Sequence, residues 1–128
     1  MSDIPSLWLA LTCTDPRAMI TFLTSAFGLS ERVVYGDGDV VHHAELTWVG
    51  PTGQVGGIML GPGEPDCGRP PGTSSIHVVV DDPDVRFARA TAAGASVVRA
   101  PADTDYGSRQ FVVTDPEGNL WSFGTWYE

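Results

Sequence analysis

The chain has 128 residues, 42% of them hydrophobic, which is typical of one soluble globular domain. Seven Lys and Arg residues are outnumbered by sixteen Asp and Glu, and the net charge of −9 repels phosphate backbones and anionic lipid, so we predict neither nucleic-acid nor membrane partners. No apolar run is long enough to span a bilayer, and the first five residues do not resemble an export signal. We therefore expect a cytoplasmic protein. Its two cysteines, Cys13 and Cys67, are expected to be free thiols, with Cys13 buried in a strand.

The first half of the chain predicts a strand, a helix and three further strands. Alternating positions over residues 7–13 predict a buried strand. Asp15 suits the N-cap of a helix and Pro16 its first position, and the apolar stripe that follows stops at Gly28. The remaining predicted strands cover residues 31–35, 40–49 and 56–60.

The second half repeats this order after a stretch rich in Gly and Pro. That stretch, residues 62–74, is predicted to be a linker between module one, about residues 4–61, and module two, about residues 75–127. A strand over residues 75–80 precedes a helix that starts at Asp82-Pro83 and stops before Gly94. Residues 101–107 are predicted to be a loop. The last three strands are predicted over residues 96–99, 108–114 and 119–127.

Three landmarks recur in the same order in both halves. Each helix starts with Asp-Pro, each ends before a Gly, and each final hairpin has a turn of the type Pro-x-Gly, at residues 51–53 and 116–118. Pro presets φ in such a turn and Gly accepts a positive φ. The recurrence indicates a duplication. We therefore predict an α+β fold made of two tandem βαβββ modules.

Together with the segments Gly57–Gly61 and Tyr106–Trp121, this organisation resembles the vicinal oxygen chelate superfamily, which includes glyoxalases, bleomycin-resistance proteins and ring-cleaving dioxygenases. The resemblance covers essentially the whole chain. It implies that the modules form an incompletely closed eight-stranded cup that holds a small molecule. It also implies a homodimer, in which the halves pair within one chain or are exchanged between chains.

The resemblance also implies where a divalent metal would be held, near the middle of the first and last strands of each module. In this chain those positions are Trp8, Met59, Ser75 and Ser122. None is a usual ligand of Zn²⁺, Ni²⁺, Fe²⁺ or Mn²⁺, so we predict no metal and no other cofactor. The alternative is a displaced divalent-metal site formed by His77, His43 and Glu45.

A ligand pocket is predicted instead of a metal centre. Trp and Met side chains give broad contact to a flat ligand, while His and Ser supply orienting hydrogen bonds. The predicted ligand-binding residues are Trp8, His43, Met59, Ser75, His77, Tyr106, Phe111 and Ser122. In the alternative interpretation, Trp8 and Met59 simply fill the interior and leave no cavity. The other tryptophans, Trp48, Trp121 and Trp126, are predicted to have structural roles.

The sequence thus predicts a metal-free small-molecule binding protein, of the kind that sequesters an antibiotic or another planar or cationic metabolite. The alternative is an enzyme of the superfamily, of lyase, isomerase or dioxygenase type. Such an enzyme would use either the displaced metal ligands or, without metal, His77 as a general base. A third possibility is an accessory subunit whose pocket is vestigial.

Overall fold

The computed structural model describes residues 4–126, and it contains two four-stranded sheets and two helices. In chain order the elements are β1 (Trp8–Thr12), α1 (Pro16–Ala26), β2 (Ser30–Asp37), β3 (Val40–Val49), β4 (Val55–Gly61), β5 (Ser75–Val79), α2 (Pro83–Ala92), β6 (Ser96–Asp103), β7 (Arg109–Thr114) and β8 (Leu120–Gly124). The strand orders are β1-β4-β3-β2 and β5-β8-β7-β6. In each sheet the first strand is parallel to the last, and the other pairs are antiparallel. The predicted α+β fold of two βαβββ units is confirmed.

The two sheets remain separate. Among residues 4–126 no strand of one sheet pairs with a strand of the other, so β1 and β5 each keep one unpaired edge. The eight strands are therefore not closed into a barrel.

The two final hairpins have the same turn. In residues 50–54 and 115–119, the N–H of the first residue donates to the carbonyl of the fifth, at 2.7 and 3.1 Å. The N–H of the fourth donates to the carbonyl of the first, at 3.1 and 3.0 Å. That fourth residue is Gly53 or Gly118, with φ of 91° and 100°, a conformation that side chains with a Cβ rarely adopt. The shared geometry supports the duplication.

The helices cover one face of each sheet, which we call the helix face. The opposite face has no helix over it within the residues described, and we call it the open face. In α1 the Asp15 carboxylate accepts from the N–H of Ala18 at 3.1 Å and Pro16 takes the first turn, as predicted. Five residues of α1 are buried: Met19, Ile20, Phe22, Leu23 and Ala26. The stripe of α2 is weaker and buries Pro83 and Ala90. Of the helices in the described part of the chain, neither is long and apolar enough to cross a membrane.

The modules share one aromatic core on the helix faces. Phe27, which follows α1, places its ring 4.7 Å from Trp121 and 4.9 Å from Phe123, both on β8 of the other module. Phe123 in turn stacks on Phe111 of β7 at 5.0 Å. Because these rings are fully buried, the apolar contact between the modules is continuous with the core of each.

Module two also holds both ends of α1 with complementary charges. The Glu117 carboxylate accepts the N–H groups of residues 14 and 15, at 3.0 and 2.9 Å, just before the helix begins. At the other end, Arg89 donates to the carbonyls of residues 24 and 25, at 3.1 and 2.9 Å. An anion at the N-terminus and a cation at the C-terminus both oppose the helix dipole favourably. These contacts fix how the two modules dock.

The structure corrects the ends of two strands. β8 ends at Gly124, whereas the sequence predicted a strand over residues 119–127, the last of which lies outside the described residues. β6 runs to Asp103, whereas the sequence predicted that it ended at Arg99 and that a loop began at Pro101. β6 is an edge strand with register shifts on both sides of Arg99, and an edge strand tolerates a proline because its outer N–H needs no partner.

The thiol of Cys13 is buried, as predicted, and 2% of the residue is exposed. Burial, followed by the nearby carboxylates of Glu117, Asp115 and Asp15, raises the pKa of this thiol to about 12. The thiol is therefore protonated and unreactive at neutral pH.

A candidate ligand-binding cleft between the two sheets

A cavity of about 510 Å³ opens between the unpaired edges of β1 and β5. Residues 7–9 and 55–58 of module one line one side, residues 76–79 of module two line the other, and Trp48, Trp121 and Trp126 are also among the lining residues. We call this cavity the inter-module cleft. Its walls are almost entirely apolar, and its volume is in the usual range for small-molecule sites.

Trp8 forms a flat part of the wall because its register partner on β4 is a glycine. Its indole ring lies directly on Gly57, where a Cβ atom would come within 2.5 Å of the ring. The indole N–H donates to the carbonyl of Pro5 at 3.0 Å, which fixes the ring orientation. A substitution at Gly57 would therefore displace the ring from the cleft.

Trp48 and Trp126 provide further aromatic surface. The Arg86 guanidinium lies 5.0 Å from the centroid of the Trp48 ring, a cation–π geometry that brings α2 of one module to β3 of the other. Trp126 is 59% exposed and Leu7 is 84% exposed, and both line the cleft. The cleft is therefore open to a ligand from solvent.

His77 is the one titratable residue among those described as lining the cleft. Its Nδ1 lies 2.7 Å from the Oγ of Ser122, its register partner on β8. His77 remains exposed to solvent, and its partial burial lowers the pKa of the imidazole, so the ring is neutral at neutral pH. The cleft thus combines aromatic walls with one uncharged hydrogen-bonding group.

Of the predicted ligand-binding residues, the structure brings Trp8 and His77 into this cleft, with Ser122 bonded to His77. Met59 and Ser75 lie on the open faces of different sheets and do not line it. Tyr106 lines a separate cavity of about 280 Å³ near the β6–β7 connection.

Phe111, also predicted to contact ligand, lies in the core and does not line the cleft. The residue is 0% exposed and its ring packs edge-on to Phe87 at 5.3 Å and stacks on Phe123. The alternation of β7 points Phe111 toward the helix face, so it belongs to the core.

His43 belongs to a charged cluster on the open face of the first sheet. Its Nε2 lies 2.9 Å from the Glu45 carboxylate, which also accepts from Arg32 at 2.6 Å. The hydrogen bond from His43, followed by that from Arg32, lowers the pKa of Glu45. Glu45 is therefore already paired within the chain.

The structure does not bring the residues of the displaced metal site together. Within residues 4–126 no three His, Cys, Asp or Glu side chains are close enough to hold a metal ion, so His77, His43 and Glu45 do not form such a group. The four positions that the superfamily uses carry an indole, a thioether and two hydroxyls. That donor set does not fit a divalent cation, so no reaction step through a metal is derived for this chain.

Three cleft residues were assigned structural roles from the sequence: Trp121, which is buried in the aromatic core, and Trp48 and Trp126. Trp48 comes just before the turn at residues 50–54, and Trp126 follows the end of β8. Both lie at strand ends, where a side chain can reach past the edge of its own sheet. Their position at predicted strand ends is the sequence feature that could have indicated a place in the cleft.

These features define the class of protein. Residues 6–123 match the Glyoxalase/Bleomycin resistance protein/Dioxygenase superfamily, and the chain belongs to that family.

Three relatives illustrate the similarity. The chain is 37% identical over 131 residues to the uncharacterized protein Rv0887c of Mycobacterium tuberculosis, covering 94% of this chain and 74% of that one. Its structure is similar to that of TioX from Micromonospora sp. ML1, with a TM-score of 0.78, 32% identity and coverage of 95% and 98%. It also shares its fold with TnmS3, an antibiotic binding protein from Streptomyces sp. CB03234, with a TM-score of 0.73, 21% identity and coverage of 98% of each chain.

Proposed function

We propose that this protein binds a flat, largely apolar small molecule in the inter-module cleft. The observation that carries the proposal is the cleft itself, a cavity of about 510 Å³ with exposed indole surface and a single neutral imidazole. Aromatic walls bind flat ligands by stacking and by burying apolar surface, and a few polar groups set the orientation.

Sequestration of an antibiotic or a similar planar metabolite is the form of binding that we favour. TnmS3 is described as an antibiotic binding protein, and it has the same fold. The family as a whole contains both bleomycin-resistance proteins and enzymes, so family membership alone does not choose between them. The donor set at the four metal positions favours binding.

Titration with a panel of planar aromatic compounds and antibiotics, followed by tryptophan fluorescence, tests the proposal. We expect quenching and a rise in Tm for at least one class of compound, because a ligand that binds only the native state stabilises it. Trp8→Ala should weaken that binding about tenfold, since a large stacking surface is lost.

Tyr35→Ala is the matched control for Trp8→Ala. Tyr35 is exposed on β2 and does not line the cleft, so its removal should leave the affinity unchanged. Absence of quenching and of any Tm shift across the whole panel would count against the proposal.

A second candidate function is metal-free catalysis with His77 as general base. The observation in its favour is the neutral imidazole 2.7 Å from a hydroxyl. Mass spectrometry of each bound compound after long incubation separates the two functions. A binding protein returns the compound unchanged, whereas an enzyme yields a product that His77→Ala no longer forms.

We also propose that the protein is a homodimer. Each sheet also ends in an outer strand, β2 or β6, whose far edge is unpaired, and unpaired strand edges can pair with another chain. Sedimentation at micromolar concentrations should therefore give twice the mass of the chain, and a monomer at high micromolar concentration would contradict this.

A further inference from the structure

We infer that the inter-module cleft selects uncharged flat ligands over cationic ones, and that Arg86 is a specificity-determining residue for this choice. The inference rests on the proposed function, because it concerns the ligand of the same cleft. It narrows the sequence-based expectation, which allowed a cationic ligand.

Positive charges lie close to part of the cleft lining. No Asp, Glu, Lys or Arg is among the described residues that line the cleft, but the Arg86 guanidinium lies 5.0 Å from the centroid of the Trp48 ring. Arg89 lies beside it, since a Cβ atom on Gly28 would be 2.9 Å from an Arg89 nitrogen and 3.3 Å from an Arg86 nitrogen. Gly28 directly precedes Leu29, which lines the cleft. Two of the seven basic residues therefore lie close to the cleft lining without being part of it.

The carboxylates that contact Arg86 and Trp121 are already engaged. Asp82 accepts from Arg86 at 3.1 Å. Asp115 accepts from the indole N–H of Trp121 at 2.8 Å and from three further donors in its own hairpin. Neither carboxylate is therefore free to pair with a ligand, and a cation in the cleft would leave water without an anionic partner among the lining residues that the structure describes.

Two effects favour a cation, and both are weaker than the cost of removing its charge from water. The net charge of −9 attracts cations at long range, but physiological salt screens it over about 8 Å. Cation–π contacts also favour a cation, yet the Trp48 ring already interacts with Arg86. Removing a charge from water without a counter-ion costs more than the contacts left at Trp8 and Trp126 return. The cleft should therefore prefer the neutral member of a matched pair.

Acridine and N-methylacridinium form such a pair, because they share the ring system and differ by a methyl group and a permanent charge. Isothermal titration at about pH 8, where acridine is unprotonated, and at about 0.15 M salt gives both affinities. We expect acridine to bind the wild-type protein at least about tenfold more tightly. Equal or tighter binding of the cation would overturn the charge selection and leave the proposed function standing, whereas binding of neither compound, together with no binder in the wider panel, would overturn both.

Arg86→Gln tests the assigned cause. It should strengthen binding of the cation about fivefold and leave binding of acridine within about twofold. Arg17→Gln is the matched control, because it changes the net charge by the same amount. Arg17 lies at the start of α1 and donates to the carbonyl of Gly38, whereas Arg86 lies beside Gly28, after the end of α1. An affinity ratio that is unchanged in Arg86→Gln, or shifted as much in Arg17→Gln, would overturn the role of Arg86.

Discussion

Asp115→Ala is expected to lower the free energy of unfolding by about 3–5 kcal/mol, the largest effect of any polar substitution in the chain. The carboxylate is buried and accepts four hydrogen bonds. Its Oδ1 accepts the backbone N–H groups of Glu117 and Asn119, at 2.9 and 3.1 Å. Its Oδ2 accepts the side-chain N–H groups of Asn119 and Trp121, at 2.9 and 2.8 Å. Alanine would leave three buried donors and one half-buried donor without a partner, and each unsatisfied buried donor costs about 1–3 kcal/mol.

Urea denaturation followed by tryptophan fluorescence measures this effect. Asp115→Asn keeps the shape but places an NH₂ group against donors, so it should also be destabilising, by about 2 kcal/mol. Asp105→Ala, in an exposed turn, is the control and should change the free energy of unfolding by less than about 0.5 kcal/mol. If Asp115→Ala were no more destabilising than Asp105→Ala, the buried network would not be contributing to stability.

The hairpin around Asp115 illustrates what the sequence could predict. Its turn is specified locally, since Pro116 and Gly118 set the backbone and Asp115 caps it. The same is true of the start of α1 at Asp15 and Pro16. Signals confined to a few neighbouring residues therefore gave the elements, their order and the family.

Phe111 shows where such signals fail. The run Phe111-Val112-Val113 is apolar at every position, so periodicity does not tell which side faces the core. Packing against Phe87 of α2 decides it, and that contact joins residues far apart in the chain. A continuous apolar run defines a strand but leaves the orientation of its side chains open.

The cleft could not be predicted for a related reason. It lies between two sheet edges, and its walls combine β1 with β5, which belong to different modules. The sequence instead placed the ligand site along the strand centres, where Met59 and Ser75 face the open sides of separate sheets. The exclusion of nucleic-acid and membrane partners, which rests on net charge, stays a prediction.

Phe27→Ala is expected to lower the free energy of unfolding by about 3–5 kcal/mol and also to weaken ligand binding in the cleft. The Phe27 ring comes from module one and packs on Trp121 and Phe123 of module two at 4.7 and 4.9 Å. Its removal leaves a void between the modules, which cannot collapse without moving one sheet relative to the other. Because Trp121 also lines the cleft, such a movement changes the width of the ligand site.

Phe87→Ala separates this docking effect from a general loss of core packing. Phe87 belongs to α2 and packs against Phe111 inside module two, so its removal should lower stability without altering the cleft. We expect Phe27→Ala to weaken the best ligand of the panel at least about tenfold, measured well below the Tm of each variant, and Phe87→Ala to change it by less than about twofold. Equal losses of affinity in the two variants would show that the cleft responds to stability alone. A loss confined to Phe27→Ala would mean that the aromatic contact between the duplicated halves sets the spacing of the walls that grip the ligand.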